Sequence, residues 1–269
     1  MRVILPSFAK LNLTLRVVNK RSDGYHDIVS SFLKIPSGEV IIVDFDNASL
    51  KNDVINSNII ISGENIILKA LRFAREAGFK IPPLSIKLLK TIPPGSGMGA
   101  GSCNAAAILK YFGAESLAAK IGADVPFFCS VHNAAIVSGI GDKCEKLTLP
   151  RFHGVVTIPK WKSETGNAYE MLDKFLNNRY VFDIMQARKE LNEIYSRINN
   201  GIYIGMLPND FSGSLLRQHR EYNELFEVFK KSGFSAWGIT GSGSAAFAVS
   251  KKLEIMKTLP EFISEVLYF

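Results

Sequence analysis

Hydrophobic positions along the chain switch between a period of two and a period near three and a half, and the switches mark its elements. Residues 9–17, AKLNLTLRV, alternate Leu11, Leu13, Leu15 and Val17 with polar neighbours, which predicts a half-buried strand. The same period places Lys10 and Asn12 together on one face of it. Asp23-Gly24 is a turn signal, and SFLKI (31–35) and EVIIVDF (39–45) read as two further strands. The polar, Asn-rich stretch 46–58 predicts a surface hairpin or loop. From 64 to 77, ENIILKALRFAREA has helical spacing, with Gly78 as its stop. LSIKLLK (84–90) is a strand that runs into a glycine-rich stretch, and SCNAAAILKYF (102–112) reads as a helix buried by Ala, Ile and Leu.

A second block begins after Pro150 with the strand GVVTIP. Helical patterns follow at 164–177, 183–198 and 210–231, then two strands joined by a glycine turn at 235–250. The pattern predicts domains at 1–150 and 151–269. Strands and helices mix without regular βαβαβ alternation, so the expected class is α+β rather than a doubly wound parallel sheet.

Composition narrows the function classes. With 269 residues, 47% hydrophobic and 21% charged, the chain reads as an ordered globular protein. No apolar run approaches the roughly 18–20 residues of a membrane span. MRVILPSFAK is interrupted by Pro6 and Lys10 before a signal-peptide core forms, so a cytoplasmic protein without a membrane partner is expected. Three cysteines without a CxxC pair argue against a disulfide framework. Cys129 and His132 form a lone CxxH with no second ligand pair, which reads as a buried cysteine. A net charge of +7 fits a nucleic-acid binder or an enzyme for polyanions, and the basic residues are dispersed, so charge alone decides nothing.

Ile92 to Ala106, IPPGSGMGAGSCNAA, places Gly95, Gly97, Gly99 and Gly101 at alternate positions between a strand and a helix. Exposed N–H groups, the helix dipole and missing Cβ atoms would let phosphate oxygens approach there. Three readings compete: a nucleoside triphosphate, a dinucleotide pyrophosphate, or a turn that needs positive φ. The Walker pattern is missing, since no Gly-Lys pair occurs. The dinucleotide fingerprint must be forced as Gly95-x-Gly97-x-x-Ala100, and Glu115 lies in a helical pattern instead of at a strand end. GADVPFF (122–128) adds Asp124, and GITGSGSAAF (238–247) adds a second glycine turn.

In order and spelling these pieces resemble the GHMP small-molecule kinases, which use their own glycine loop in place of a Walker loop. FAKLNL, DGYH, PPGSGMGAGSCNAA, GADVPFF, LPNDF and TGSGSAAF most resemble the branch acting on 4-diphosphocytidyl-2-C-methyl-D-erythritol, in the non-mevalonate route to isoprenoid precursors. The resemblance implies an N-terminal ribosomal-protein-S5-like ATP-binding domain, a C-terminal ferredoxin-like domain, and an active site between them. It implies ATP as co-substrate, Mg²⁺, no nucleic-acid partner, and a monomer or homodimer.

By the same resemblance Asp124 is the base for the substrate hydroxyl, Lys10 lies close to it, and Asn12 supports the pair. Pro93, Pro94, Gly95, Ser96, Gly97, Met98, Gly99, Ala100, Gly101, Ser102 and Cys103 would hold the ATP phosphates. No metal ligand is assigned, though Ser102 is a candidate. Asn65 resembles an adenine contact and reads equally as a helix-start residue. Tyr25 and His26 would bind the cytidine end, with Tyr169 either closing a sandwich on the base or packing in the core. The chain departs from the family's pattern at Phe8, Met98, Ala100, Cys103 and Ser212, and over a shorter stretch between Ala107 and Gly122. Ala100 is expected to need negative φ or strain, and Cys103 to loosen ATP contacts for want of a hydroxyl. Other readings are a different GHMP kinase, a dinucleotide-dependent oxidoreductase and a basic nucleic-acid module.

Overall fold

The first strand, β1 (Arg2–Lys20), turns at Gly24 and returns antiparallel as β2 (His26–Asp44) in the computed structural model, which describes residues 1–45, 50–61 and 63–269. The two strands expected at 31–35 and 39–45 are one, because both segments find partners on β1: Leu33 faces Leu11 and Ile41 faces Leu5. In the stretch expected to be a hairpin or loop, β3 (Val54–Ser57) pairs parallel with β4 (Ser85–Leu89), while 46–49 lie outside the described residues. Between them runs α1 (Ile66–Glu76), ended as expected at Gly78, whose φ is +93°.

Helix α2 (Ala100–Tyr111) follows the glycine stretch, then a 3₁₀ turn at Glu115–Leu117, α3 (Ala118–Ile121) and α4 (Val125–Cys129). The antiparallel pair β5 (Ala134–Gly139) and β6 (Lys143–Lys146) completes the first sheet, in the order β3-β4-β2-β5-β6 with β1 on β2. Apolar faces of α1 and α2, with Ile67, Leu71, Ile108 and Leu109, pack on Ile41, Val43, Ile86 and Leu88 of the sheet. Alanines at 105 and 106 let α2 approach closely.

The second sheet is built from β7 (His153–Pro159), β8 (Gly205–Met206), β9 (Ala236–Ile239), β10 (Ala246–Ser250) and β11 (Ile263–Tyr268), in the order β11-β7-β10-β9-β8. The chain changes sheets across 147–152, around Pro150. Helices α5 (Thr165–Leu176) and α6 (Ile184–Asn199) fall where helical periodicity predicts them. The helical pattern over 210–231 is two helices, α7 (Ser212–Gln218) and α8 (Glu221–Lys231). His219 leaves helical geometry between them, at φ −129° and ψ 88°, and stacks its ring on Trp161.

Strand β1 joins the two sheets. Leu11 and Leu13 share a core cluster with Val156, Ile158, Leu191 and Phe247 from the second half. Each fully buried leucine contributes about 1.5–3 kcal/mol. The opposite face is not solvated as a half-buried strand would be: Lys10, Asn12 and Thr14 are also buried. Buried polar groups must be satisfied, and the partners that satisfy these define the site. Among the described residues, no helix is long and apolar enough to cross a membrane.

Candidate active site

A cavity of about 900 Å³ lies where the glycine loop, β1, α4, α5 and the C-terminal glycine turn meet. Loop geometry follows from where its carbonyls go. Gly95 O accepts from Ser163 N (3.1 Å) and Ser244 N (3.2 Å), and Ser96 O accepts from Ala245 N (3.0 Å). Gly97 O accepts from Lys10 Nζ (2.9 Å) and Met98 O from Lys10 N (2.8 Å). Carbonyls are thus committed to protein, whereas no backbone N–H from Gly95 to Ser102 donates to a protein acceptor among the described residues. A row of free donors leading into the first turn of α2 can hold an anion.

Two of the glycines are needed for a reason beyond phosphate approach. At Gly97 (φ +76°) a Cβ would lie 2.5 Å from Gly243 O and 2.6 Å from Thr240 O, so the loop packs backbone to backbone on the C-terminal glycine turn. At Gly99 (φ +64°) a Cβ would lie 3.0 Å from Asp124 Oδ2 and 3.2 Å from Lys10 Cε. Its absence leaves room for that ion pair. Asn209 of the LPNDF segment fixes the C-terminal turn, with Nδ2 donating to Ile239 O and Gly241 O, both at 2.8 Å.

Lys10 and Asp124 meet at the mouth of the loop, with Nζ 3.6 Å from Oδ2. Asp124 is placed by α4, which starts at the next residue. Lys10 Nζ also donates to Asn12 Oδ1 at 2.5 Å and lies 4.8 Å from the centre of the Phe32 ring. Asn12 is itself held, Nδ2 donating to Ser30 Oγ and its backbone N to Thr240 Oγ1, each at 2.8 Å. Burial pushes the Lys10 ammonium pKa down, and the charge and hydrogen bond of Asp124 offset part of that. The strand's period of two therefore does bring Lys10 and Asn12 together, and the fold adds Asp124.

Most of the loop residues expected at the phosphates line the cavity: Pro93, Pro94, Gly95, Ser96, Gly97, Met98, Gly99, Ala100, Gly101 and Ser102. Met98 does so through its backbone, its side chain being buried in the shared core. Ala100 starts α2 and is free of the anticipated strain, since it has no positive φ. Cys103 corrects the expectation of an ATP contact. Its Sγ accepts from Phe8 N at 3.1 Å, and its side chain packs in the first core. Burial pushes the thiol pKa up. One residue further round the helix, Asn104 lines the cavity instead. Asn65 also lines it while capping α1, Oδ1 accepting from Ile67 N at 2.9 Å, so the helix-start reading holds for that oxygen.

The far end of the cavity holds Tyr25, His26 and Tyr169. Tyr25 is 59% exposed after the turn at Gly24. Tyr169 lines the same end. His26 covers one face of Tyr169, with centroids 4.4 Å apart and planes at 19°, and Phe211 meets it edge-on at 4.9 Å. Sequence reasoning missed Asp173, which accepts from His26 Nε2 (2.8 Å), Tyr180 OH (2.6 Å) and Lys20 Nζ (2.6 Å). Burial opposes ionisation of Asp173, but these hydrogen bonds outweigh it and hold the carboxyl below the usual aspartate range. Its signal was a carboxylate at a buried position of α5, beside Leu172. Lys90 was also missed. It lines the end near Asn65 and is paired with Glu39 at 2.8 Å, both side chains almost wholly buried.

The GHMP kinases N terminal domain family matches residues 65–130, the span from the Asn65 cap through the glycine loop to just beyond Asp124. The 4-diphosphocytidyl-2-C-methyl-D-erythritol kinase of Thermotoga maritima is 34% identical over 91% of this chain and 91% of its own length. That of Leptospira interrogans is 31% identical over 93% of each. The chain belongs to the 4-diphosphocytidyl-2-C-methyl-D-erythritol kinase family. A crystal structure of a 4-(cytidine 5'-diphospho)-2C-methyl-D-erythritol kinase superposes with a TM-score of 0.73 at 27% identity, over 93% of this chain and 90% of that one. The family's fold is thus the one seen here, mixed α and β with two sheets, and these relatives match both halves of the chain.

Proposed function

We propose that the chain transfers the γ-phosphoryl group of ATP to the 2-hydroxyl of 4-diphosphocytidyl-2-C-methyl-D-erythritol. The observation that carries the reading is one continuous cavity with a row of free backbone donors and the Lys10–Asp124 pair at one end and Tyr25 and His26 at the other. The N–H groups from Gly95 to Ser102 receive the triphosphate. Asp124 accepts the proton of the substrate hydroxyl, and Lys10, beside it, favours the alkoxide that develops. Phosphoryl transfer depends mostly on positioning and electrostatic stabilisation, so this small set suffices. Tyr25 offers an exposed ring face to the cytosine, and His26 a ring nitrogen to its edge.

Among the described residues no group of three His, Cys, Asp or Glu side chains could hold a metal ion. The donors at the loop are the Ser102 hydroxyl and the Asp124 carboxylate, a set that fits Mg²⁺ carried mainly by phosphates and water. Bound there, the ion would neutralise charge on the transferring phosphate. We take 1–150 and 151–269 as the two domains, and a cytoplasmic monomer or homodimer as the working form.

ADP release measured with and without the diphosphocytidyl substrate tests the reading. Release that depends on that compound is expected. Release that depends on mevalonate or homoserine in its place would assign the chain to a different GHMP activity.

A further inference from the structure

Asn209 does not line the cavity, and the proposed chemistry gives it no part. We infer that Asn209 is a positioning residue: it clamps Gly241 against β1 and so closes the box that holds the Lys10 ammonium at Asp124. The inference deepens the proposed function and rests on it for the reaction measured.

The side chain of Asn209 is buried and fully used. Nδ2 donates to Ile239 O and Gly241 O, and Oδ1 accepts from Phe211 N at 3.0 Å. The backbone around it is strapped to β1. Leu15 N donates to Pro208 O (2.9 Å) and Asp210 N to Leu15 O (3.1 Å). The Asp210 carboxylate accepts from Val17 N (2.8 Å) and Arg16 Nη1 (2.5 Å), and Glu190 grips the rest of that guanidinium at 2.6 and 2.7 Å. Asn209 is therefore a fixed post on the strand that carries Lys10, reaching across to the C-terminal glycine turn.

Gly241 is the residue of that turn that meets Lys10. Its φ is +58°, and a Cβ there would lie 3.0 Å from Asn12 Oδ1, 3.3 Å from Gly97 O and 3.4 Å from Lys10 Nζ. Those oxygens are the two hydrogen-bond acceptors of Nζ. Gly241 thus forms one wall of a box whose other walls are the Phe32 ring from β2, Gly97 O from the loop and Asp124 from the start of α4. Among the titratable groups of the described residues, Asp124 is the one that acts on the ammonium. Without the Asn209 amide, Ile239 O and Gly241 O lose their donor, the turn is free to lift, and water enters beside Nζ. Relief of burial and two unpaired carbonyl dipoles both favour the charged lysine, so both raise its pKa.

The test compares wild type with Asn209→Ala, Asn209→Ser and Gly241→Ala. Asn209→Ala should lower kcat about 10- to 100-fold, the cost of misplacing a reacting group by about 1 Å. Both KM values should stay within a few-fold, because Ser244 N and Ala245 N hold the glycine loop to the turn beyond Gly241. The carbon-13 shift of Lys10 Cε, assigned by its loss in Lys10→Met and followed over pH without substrate, reads the box itself. Its titration should move to higher pH in Asn209→Ala. It should move to lower pH in Gly241→Ala, whose methyl group crowds Nζ and displaces its acceptors. Asn209→Ser keeps one donor and should fall between wild type and alanine, and it takes the place of the alanine variant if that one does not fold. An unchanged lysine midpoint, with kcat per folded molecule also unchanged and only Tm lowered, would mark Asn209 as merely structural and overturn the inference. Should wild type fail to turn over the diphosphocytidyl compound, the substrate reading falls, and the lysine titrations alone then decide the clamp.

Discussion

Replacing Gly97 by alanine should cost the protein stability before it costs nucleotide affinity. The added Cβ would sit 2.5 Å from Gly243 O and 2.6 Å from Thr240 O, both backbone atoms that cannot swing aside. Thr240 Oγ1 accepts from Asn12 N, Asn209 holds Gly241 O, and Gly243 N donates to Thr240 O, so the C-terminal turn is tied on every side. Left-handed φ costs alanine about 1–2 kcal/mol, and overpacking a tight contact adds about 1–3 kcal/mol. The sum, roughly 2–5 kcal/mol from those two sources, is a large part of the total stability of a domain. For a chain of this size each kcal/mol lowers Tm by about 2–4 °C, so a fall of roughly 4–20 °C is expected. Gly99→Ala is the control. Its Cβ would meet side-chain atoms, Asp124 Oδ2 at 3.0 Å and Lys10 Cε at 3.2 Å, which can shift. That variant should melt closer to wild type and lose turnover through a displaced ion pair. Thermal melts, steady-state kinetics and titration with a non-hydrolysable ATP analogue read all three quantities. If Gly97→Ala melts with wild type while its ATP affinity alone collapses, the missing Cβ serves the phosphates and the packing argument is wrong.

Asp124→Asn should bind both substrates and lose turnover by about 10²- to 10⁴-fold, the range for a positioned general base; a variant within a few-fold of wild type in single-turnover assays would make Asp124 structural. Cys103→Ser should leave the ATP KM unchanged, because Sγ faces Phe8 N and the core; a clear drop in KM would return residue 103 to the nucleotide site. The folded-state pKa of Asp173 is lowered, so its stabilising contribution is present above the unfolded value of about 3.9 and is lost as pH falls through the folded value. The Tm difference between wild type and Asp173→Asn should therefore shrink as pH drops from about 6 towards 3, and a constant difference would refute the coupling.

Local pattern alone was enough for much of this protein. Alternating leucines specify β1, helical spacing specifies α1, α5 and α6, and glycine flanked by strand and helix specifies the anion loop, since each rests on chain geometry within a few residues. Lys10 and Asn12 share a face for the same reason. Motif spelling pointed to the family without any coordinates. What tertiary structure decided are relations between distant segments. The hydrogen-bond partners of β1 merged two expected strands into β2, and the glycine loop, Asp124 and the C-terminal turn covered a strand face that periodicity left to solvent. Gly97 answers to Gly243, and Gly99 to Asp124. Cys103 reads as part of a phosphate motif, yet one position round a helix turns a side chain by about 100°, enough to exchange the cleft for the core. His26 and Asp173 lie 147 residues apart, and only folding makes them a pair. A sequence can name a side chain's chemistry, but its partner depends on long-range packing that no local period encodes.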